Sequence, residues 1–272
     1  MPAGGTGLVL RGLRKEPATI GKWHLGWDLT YKEGKAKTVD NIDFTKRVAN
    51  GPTDRGFDYF YGLTSPSGPP HLYMVNDMAE KQPNTRFEES GGGLYKIKGG
   101  IGHSDWSADG MQPHLADKML EYLDENKDSD KPFFLYMALT APHIPLFPSK
   151  EFKGKSKIGD YGDLVMMIDD IVGRVNRKLK EIGKYDNTIV MFAADNGCAG
   201  YINMDRINRK GHYPSYIYRG YKSHGWEGGH RIPFILSWGD RYGHVTDNSL
   251  VSLTDLYATF ADMLGYRIAD DE

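Results

Sequence analysis

The sequence predicts an α/β fold built on a mostly parallel sheet that is flanked by helices on both faces. Two continuous apolar runs, residues 133–139 and residues 188–194, have the composition of buried parallel strands. Between them, residues 163–182 carry a single apolar stripe at helical spacing, and Gly183 follows as a natural stop. Because strand, helix and strand follow one another in this order, they predict a parallel α/β unit.

The other elements are less regular and are predicted from local patterns. Residues 252–264 predict a last helix, because Ser252 and Asp255 are spaced as a capping box. Residues 63–70 are rich in Ser, Gly and Pro and predict a loop. Further strands are expected at residues 18–20, 56–62 and 234–238, a helix around residues 115–123, and the polar residues 38–49 allow another helix.

The length and composition indicate a globular protein whose 272 residues could form one large domain or two small ones, and the resemblance described below implies a single domain over residues 1–272. The chain is 39% hydrophobic and 26% charged, which is typical of a folded protein, and its net charge of −2 gives no general reason to expect nucleic acid as a partner. No apolar run is long enough to predict a membrane span. The single cysteine, Cys198, excludes an intrachain disulfide.

Polar residues that could bind a metal ion follow one of the predicted strands. Asp195 and Asn196 come directly after residues 188–194, and in α/β sheets ligands bind at the carboxyl ends of strands. A carboxylate and an amide oxygen are hard donors that suit Ca²⁺ or Mg²⁺. The same two residues are also typical of a helix cap or an Asx turn.

Histidines and lysines follow the other two strands. Lys22 and His24 lie two residues apart after residues 18–20, so a continued strand would direct both to one side, where they could hold an anion and move a proton. His143 lies between two prolines after residues 133–139. Each of these residues alone would also be ordinary in a surface turn.

Four stretches that occur in order along the chain resemble motifs of the sulfatase family. They are residues 21–26 (GKWHLG), 141–145 (APHIP), 195–197 (DNG) and 222–233 (KSHGWEGGHRIP). The likeness extends from about residue 20 to residue 265, and residues 56–62 and 211–216 resemble the bacterial arylsulfatase-A-like type in particular.

The resemblance implies an alkaline-phosphatase-like α/β fold and the hydrolysis of sulfate monoesters of small molecules or glycans. It implies that Asp195 and Asn196 bind one Ca²⁺, with Mg²⁺ as the other candidate. It further implies that Lys22 and Lys222 hold sulfate oxygens, that His24 assists the nucleophile and that His143 lies beside the leaving-group oxygen. Glu227 and Arg231 would then brace the loop.

The sequence also departs from the family pattern. The family's early pair of aspartates is absent, and so is the Cys-x-Pro-Ser/Ala-x-Arg motif whose first residue becomes the formylglycine nucleophile. The surroundings of Cys198 do not match that motif. We therefore expect a sulfatase catalytic domain that lacks the N-terminal strands with this motif and the small C-terminal subdomain. We expect the 272 residues by themselves to have no sulfatase activity.

Two alternatives remain open. A degenerate fragment could bind sulfated ligands without turnover, and a phosphatase or phosphodiesterase of the same superfamily could share the fold. The second alternative usually needs two metals, whereas Lys22 and Lys222 stand where a second metal would need its ligands. The sequence leaves the oligomeric state and the compartment open, with a periplasmic or secreted location expected if a signal peptide precedes residue 1.

Residues 201–221 are expected to form a substrate-facing loop. The segment lies between Asn196 and Lys222, so both of its ends are anchored at the proposed site, and it combines cations with several tyrosines. His212 and Arg219 are the predicted contacts, because they flank the turn at residues 213–216. The same composition is also found in an ordinary solvated loop.

Overall fold

The structure is a computed structural model that describes residues 16–268. Its main sheet has five strands in the order β4-β3-β2-β1-β7, and two smaller sheets pair β5 with β6 and β8 with β9. The strands are β1 (Glu16–Lys22), β2 (Tyr59–Leu63), β3 (Met74–Val75), β4 (Met78–Ala79), β5 (Thr85–Phe87), β6 (Gly100–Gly102), β7 (Phe133–Ala138), β8 (Ile189–Ala193) and β9 (Phe234–Trp238). The α-helices are α1 (Met111–Glu125), α2 (Asp160–Glu181), α3 (Met204–Asn208), α4 (Glu227–His230) and α5 (Asp255–Met263).

Strand β1 lies at the centre of the parallel part of the main sheet. It pairs in parallel with β2, where Ile20 is opposite Tyr61, and in parallel with β7, where Ile20 is opposite Met137. The carboxyl ends of these three strands therefore meet at one edge of the sheet. The short strands β3 and β4 extend the sheet beyond β2 in antiparallel fashion.

Helices cover both faces of the sheet, as predicted. Side chains at alternate positions of a strand point to opposite faces, and Leu135 packs into the larger core cluster with residues of α1 and α2. The neighbouring Phe134 belongs to the opposite face, where its ring lies 5.8 Å from that of Phe260 in α5. No helix within residues 16–268 is both long enough and apolar enough to cross a bilayer.

The regular helices were predictable to within a few residues. Helix α2 carries its buried side chains along one stripe, and Gly183 after it has φ 69°. Before α5, the Ser252 backbone N–H donates to the Asp255 carboxylate at 2.8 Å, which is one half of the expected capping box. Residues 64–70 contain no helix or strand, as expected.

The prediction of a buried parallel strand at residues 188–194 was wrong in its pairing. Strand β8 pairs antiparallel with β9, and its side chains are only partly buried. The physical reason is that a continuous apolar run indicates apolar surroundings on both faces, but specifies neither the partner strand nor its direction. In β9, Ile235 and Leu236 are exposed, so this small sheet has an uncovered apolar surface within the described residues.

The helix allowed at residues 38–49 does not form. Only a short 3₁₀ turn is present at Val39–Asn41. The Asn41 side chain donates to the Ala36 carbonyl at 3.0 Å, which offers the backbone a turn in place of a helix. The segment also forms antiparallel bridges between Tyr31 and Ile42 and between Asp28 and Ala49.

The end of β1 is fixed by a close backbone approach. Gly21 has φ 130°, and a Cβ atom at this position would lie 2.0 Å from the carbonyl oxygen of Ala138 in β7. Contact at that distance is sterically impossible for any side chain, so glycine allows β1 and β7 to remain paired up to the residue that precedes Lys22.

We expect Gly21→Ala to destabilise the protein by about 3 kcal/mol or more, because backbone has to move to accommodate the new methyl group. The free energy of unfolding in urea measures the effect. Gly243→Ala is the matched control, since a Cβ there meets no atom within 4 Å. Equal stabilities of the two variants would contradict the close approach.

Candidate active site

Lys22, Asp195 and Lys222 come together at the carboxyl edge of the sheets. Lys22 ends β1, Asp195 follows β8, and Lys222 belongs to the loop before α4. Burial lowers the pKa of Lys22, the nearby Asp195 carboxylate opposes this shift, and the Lys222 ammonium lowers the pKa further. Two cations and one carboxylate from three distant parts of the sequence therefore lie close enough to interact electrostatically.

Two histidines lie in the same field. The pKa of His24 is lowered mainly by the Lys22 cation, then by burial and by Lys222. The pKa of His143 is lowered mainly by burial, and Lys22 and Lys222 add to the effect. The structure thus brings together His24, His143, Lys22, Lys222 and Asp195, which we call the cationic cluster.

The tautomer of His143 follows from its hydrogen bond. Its Nδ1 lies 2.7 Å from the carbonyl oxygen of Ile144, and because a carbonyl can only accept, Nδ1 carries the proton. In the neutral ring, Nε2 then has its lone pair available. Because its pKa is lowered, the ring is neutral at neutral pH and Nε2 can accept a proton.

Backbone contacts between glycines place Lys222 beside Asp195. The Lys222 N–H donates to the Cys198 carbonyl at 2.8 Å, and the Gly197 N–H donates to the Gly229 carbonyl at 2.9 Å. A Cβ atom on Gly197 would lie 2.0 Å from the Gly228 oxygen. The Gly-Gly pair of the motif is therefore required for the close packing of these loops.

Glu227 and Arg231 brace this loop. Arg231 Nη1 lies 3.1 Å from Glu227 Oε2 across one turn of α4, and the guanidinium lies over the Tyr218 ring at 4.6 Å. Both side chains are exposed, so the ion pair adds little to stability and mainly orients the arginine.

Asp195 and Asn196 fit part of a calcium site. No described residue hydrogen-bonds to the Asp195 carboxylate, and the Asn196 amide nitrogen donates to the Gly197 carbonyl at 3.0 Å, which leaves the amide oxygen as an acceptor. Two hard oxygens are compatible with Ca²⁺, which takes 6–8 oxygen ligands. Residues 16–268 contain no group of three or more His, Cys, Asp or Glu able to hold a metal ion, so this pair is an incomplete shell.

Cys198 has the environment of a structural thiol. Burial raises its pKa, and its Sγ lies 3.6 Å from the Tyr161 hydroxyl. A raised pKa keeps the thiol protonated at neutral pH, where it is a weak nucleophile.

The segment of residues 201–221 is partly ordered by its own contacts. It contains α3, and Ile202 and Ile207 are buried. The His212 side chain is exposed, and its backbone N–H donates to the Ile207 carbonyl at 3.4 Å. The Arg219 guanidinium lies 4.0 Å from the centre of the Trp226 ring. The structure does not join these two side chains to the cationic cluster, and their contact with a substrate stays a prediction.

Sequence reasoning missed Tyr201. Its ring lies 6.2 Å from that of His143, and burial raises the pKa of its hydroxyl. The only signal was its position shortly after Asn196, in a segment that contains four other tyrosines: 213, 216, 218 and 221.

Comparison with known proteins places these motifs in one family. The family model described as Sulfatase matches residues 9–266. An N-acetylgalactosamine-6-O-sulfatase of Bacteroides thetaiotaomicron is 29% identical over 93% of this chain and 54% of its own length. An arylsulfatase of Hemicentrotus pulcherrimus is 30% identical over 93% of this chain and 41% of its own length. The chain thus spans about half the length of the curated relatives it matches.

Solved structures share the fold. A Bacteroides thetaiotaomicron structure from work on the metabolism of multiple glycosaminoglycans superposes with a TM-score of 0.80 at 25% identity, over 98% of this chain and 61% of the other. A sulfatase from Pseudoalteromonas sp. superposes with a TM-score of 0.68, also at 25% identity, over 96% of this chain and 50% of the other.

The proximity of the cluster can be tested without any substrate. We expect Lys22→Gln to raise the pKa of His24, because Lys22 is the largest cause of its lowering, and Lys222→Gln to raise it by a smaller amount. An NMR pH titration of the imidazole measures both. Lys210→Gln is the control, since the Lys210 ammonium is bound to the Lys157 carbonyl at 2.7 Å. An unchanged His24 pKa in both test variants would mean that the cluster does not assemble.

Proposed function

Because the chain belongs to the sulfatase family, we propose that it forms the part of a sulfatase that holds the sulfate group of an ester during hydrolysis. The observation that supports this most directly is the meeting of Lys22 and Lys222 around Asp195. Two neighbouring cations, one at the end of a parallel strand and one in the loop before α4, are suited to a group with several equivalent anionic oxygens.

The cations would act mainly on the transition state. In sulfate transfer, negative charge spreads over the equatorial oxygens and onto the leaving oxygen, so positioned positive charge stabilises the transition state more than the ground state. Lys22 is partly buried, which strengthens its attraction for an anion relative to a solvated lysine. Asp195 and Asn196 would hold Ca²⁺, which supplies further positive charge to the sulfate oxygens when bound.

The histidines would handle protons. A bound sulfate raises the pKa of a nearby imidazole, so His143 would gain a proton at Nε2 and could give it to the leaving oxygen. The Lys22 charge is the largest cause of the lowered pKa of His24, and His24 is the candidate for assisting the nucleophile. The nucleophile is not among these groups, because the 272 residues contain no formylglycine motif and burial raises the pKa of Cys198.

A sulfated sugar is the substrate class that we propose first. Relatives from Bacteroides thetaiotaomicron and Rattus norvegicus carry names that specify an N-acetylgalactosamine sulfate. The phosphatase alternative is less consistent with the geometry, because the Lys22 and Lys222 cations would repel a second metal ion.

Sulfate is expected to raise the pKa of both His24 and His143. The reason is that an anion between Lys22 and Lys222 offsets the cations that now lower these pKa values, and the shift should be about one pH unit. NMR titrations of the imidazoles with and without sodium sulfate measure it, with sodium chloride at equal ionic strength as the control.

The same titration tests the lysines. Lys222→Gln should weaken sulfate binding about tenfold, as expected for the loss of a hydrogen bond to a charged group, while Lys210→Gln should leave it unchanged. If sulfate moves neither pKa, or if both variants behave alike, the proposed function is wrong.

We also expect the 272-residue chain to hydrolyse no aryl sulfate, because it contains no formylglycine motif. A chromogenic aryl sulfate with excess Ca²⁺ provides the assay. Steady hydrolysis that disappears in Lys222→Ala would show that another group of this chain acts as the nucleophile.

A further inference from the structure

Two short segments form an exposed basic surface outside the cationic cluster. They are residues 153–157 and residues 206–210, which together contain six cations and no acidic residue. The six cationic residues are all exposed: Lys153, Lys155, Lys157, Arg206, Arg209 and Lys210. The whole chain has a net charge of −2, so the other residues are net negative and these segments differ from them in sign. We call them the basic surface.

Contacts between the two segments bring their cations together. The Lys210 ammonium donates to the Lys157 carbonyl at 2.7 Å. The Asp160 carboxylate pairs with Lys153 at 2.7 Å, and Arg206 lies close enough to the same carboxylate to interact with it electrostatically. The two segments therefore lie side by side, although 53 positions separate Lys157 from Lys210 in the sequence.

A buried carboxylate fixes the backbone of the first segment. The Asp163 side chain is fully buried, and it accepts hydrogen bonds from the Gly154 N–H at 2.8 Å and from the Ser156 N–H at 2.6 Å. Asp163 lies in the first turn of α2, so the longest helix of the described residues holds this loop in place. A ligand that binds here does not have to order the loop, which reduces the entropic cost of binding.

The charges of the basic surface are largely uncompensated. Apart from the ion pair already described, its cations have no carboxylate partner within residues 16–268. The acidic residues that precede the two segments, Glu151 and Asp205, form no ion pair with them. Exposed cations in other parts of the described chain are paired, as Arg174 is with Asp117. Like charges that lie together without counter-charges repel one another, and a bound polyanion would relieve this repulsion.

The second segment begins close to the cationic cluster. Arg206 follows Tyr201 by five residues, and five residues span at most about 18 Å even in a fully extended chain. The Tyr201 ring lies 6.2 Å from that of His143, which belongs to the cationic cluster. An extended ligand can therefore contact both the basic surface and the cationic cluster.

The surroundings of the basic surface favour a sugar chain over nucleic acid. Two aromatic rings lie beside it, and each has a lysine over its face: Lys153 lies 5.9 Å from the centre of the Tyr95 ring, and Lys155 lies 4.8 Å from that of Phe152. Those faces are not free to stack on unpaired bases. A stiff DNA duplex would extend beyond two short segments and meet the net negative charge of the other residues, whereas a flexible sugar chain can follow the surface.

We propose that the basic surface binds the polyanionic chain of a sulfated polysaccharide, so that the protein acts on polymers with several anionic groups and not only on a single sulfated sugar. This inference rests on the proposed function, since the sulfate ester itself is assigned to Lys22 and Lys222. The cationic cluster contacts one sulfate group, and the basic surface adds several charged contacts to the rest of the chain.

Direct binding to the 272-residue chain tests the proposal, with polymeric chondroitin sulfate as the probe and isothermal titration calorimetry as the measurement. The disaccharide unit of the same polymer should bind about tenfold more weakly, or more weakly still, because it offers fewer anionic groups. Both affinities are expressed per disaccharide unit. The affinity for the polymer should fall steeply as sodium chloride is added, because salt screens interactions between exposed charges.

A triple variant tests the surface itself. Lys155→Gln, Lys157→Gln and Arg209→Gln together should weaken binding of the polymer about tenfold, as expected for the loss of three exposed charged contacts. The dependence of its affinity on salt should also become less steep, because fewer anionic groups are neutralised on binding. The variant is expected to fold, since all three residues are exposed. Circular dichroism and the urea midpoint check this.

A second triple variant is the matched control. Lys32→Gln, Lys35→Gln and Lys37→Gln remove the same number of charges from another exposed segment, and none of these lysines has an ion-pair partner among the described residues. This variant should bind the polymer as wild type does. If it loses as much affinity as the first triple variant, the net charge of the protein and not the basic surface determines binding, and the proposal is wrong.

The remaining outcomes separate this proposal from the function on which it rests. Equal affinity for the polymer and its disaccharide would overturn it, and so would a double-stranded DNA fragment that binds as tightly as the polymer, which would identify a nucleic-acid surface. Lys222→Gln with inorganic sulfate is the independent arm. If Lys222→Gln weakens sulfate binding while the first triple variant keeps its affinity for the polymer, the proposed function stands and the basic surface fails. If Lys222→Gln leaves sulfate binding unchanged, the proposed function itself fails.

Discussion

The close contact of two glycine-containing loops is the constraint on which the site depends. Asp195 and Lys222 have no ion pair or side-chain hydrogen bond that joins them, and their proximity comes from backbone bonds at Gly197, Cys198 and Gly229. A methyl group on Gly197 or Gly228 would lie within 2.2 Å of a carbonyl oxygen of the facing segment. Steric demands on the backbone, and not attraction between the functional groups, therefore set the geometry of the cluster.

This arrangement holds like charges together without full compensation. Lys22 and Lys222 both lower the pKa of the same two histidines, and Asp195 is the carboxylate that opposes them at Lys22 and at His143. Such a cluster is electrostatically unfavourable when empty, and an anion would relieve the repulsion. The rest of the fold supplies the stability that this requires, chiefly through the apolar core between the sheet and helices α1 and α2.

The sequence predicted those features that depend on local periodicity. Helix α2 and strand β7 follow from their apolar patterns, and the positions of Lys22, His143 and Asp195 after strands follow from the same patterns. The direction of β8 did not, because its pairing with β9 depends on residues 234–238, which are distant in sequence. The local shape of residues 201–221 was equally inaccessible to sequence reasoning, because it depends on the positive φ values of Asn203 and Tyr216 and on which arginines find aromatic partners.

The two parts of the proposed substrate site differ in how they are supported. Lys22 is the last residue of β1, where the backbone is paired with β2, and His143 follows the end of β7, whereas the predicted contacts His212 and Arg219 belong to a segment with one five-residue helix and two non-glycine residues at positive φ. Stabilising charge in a transition state requires positions that do not change, and strand ends provide them. Recognition of a sugar depends on a few hydrogen bonds and a ring contact, which an irregular segment can rearrange without disturbing the strands. The segment is held at one end by the Lys222 backbone bond to Cys198 and contacts His143 through Tyr201 at the other, so specificity could vary there while the proposed sulfate site stays the same.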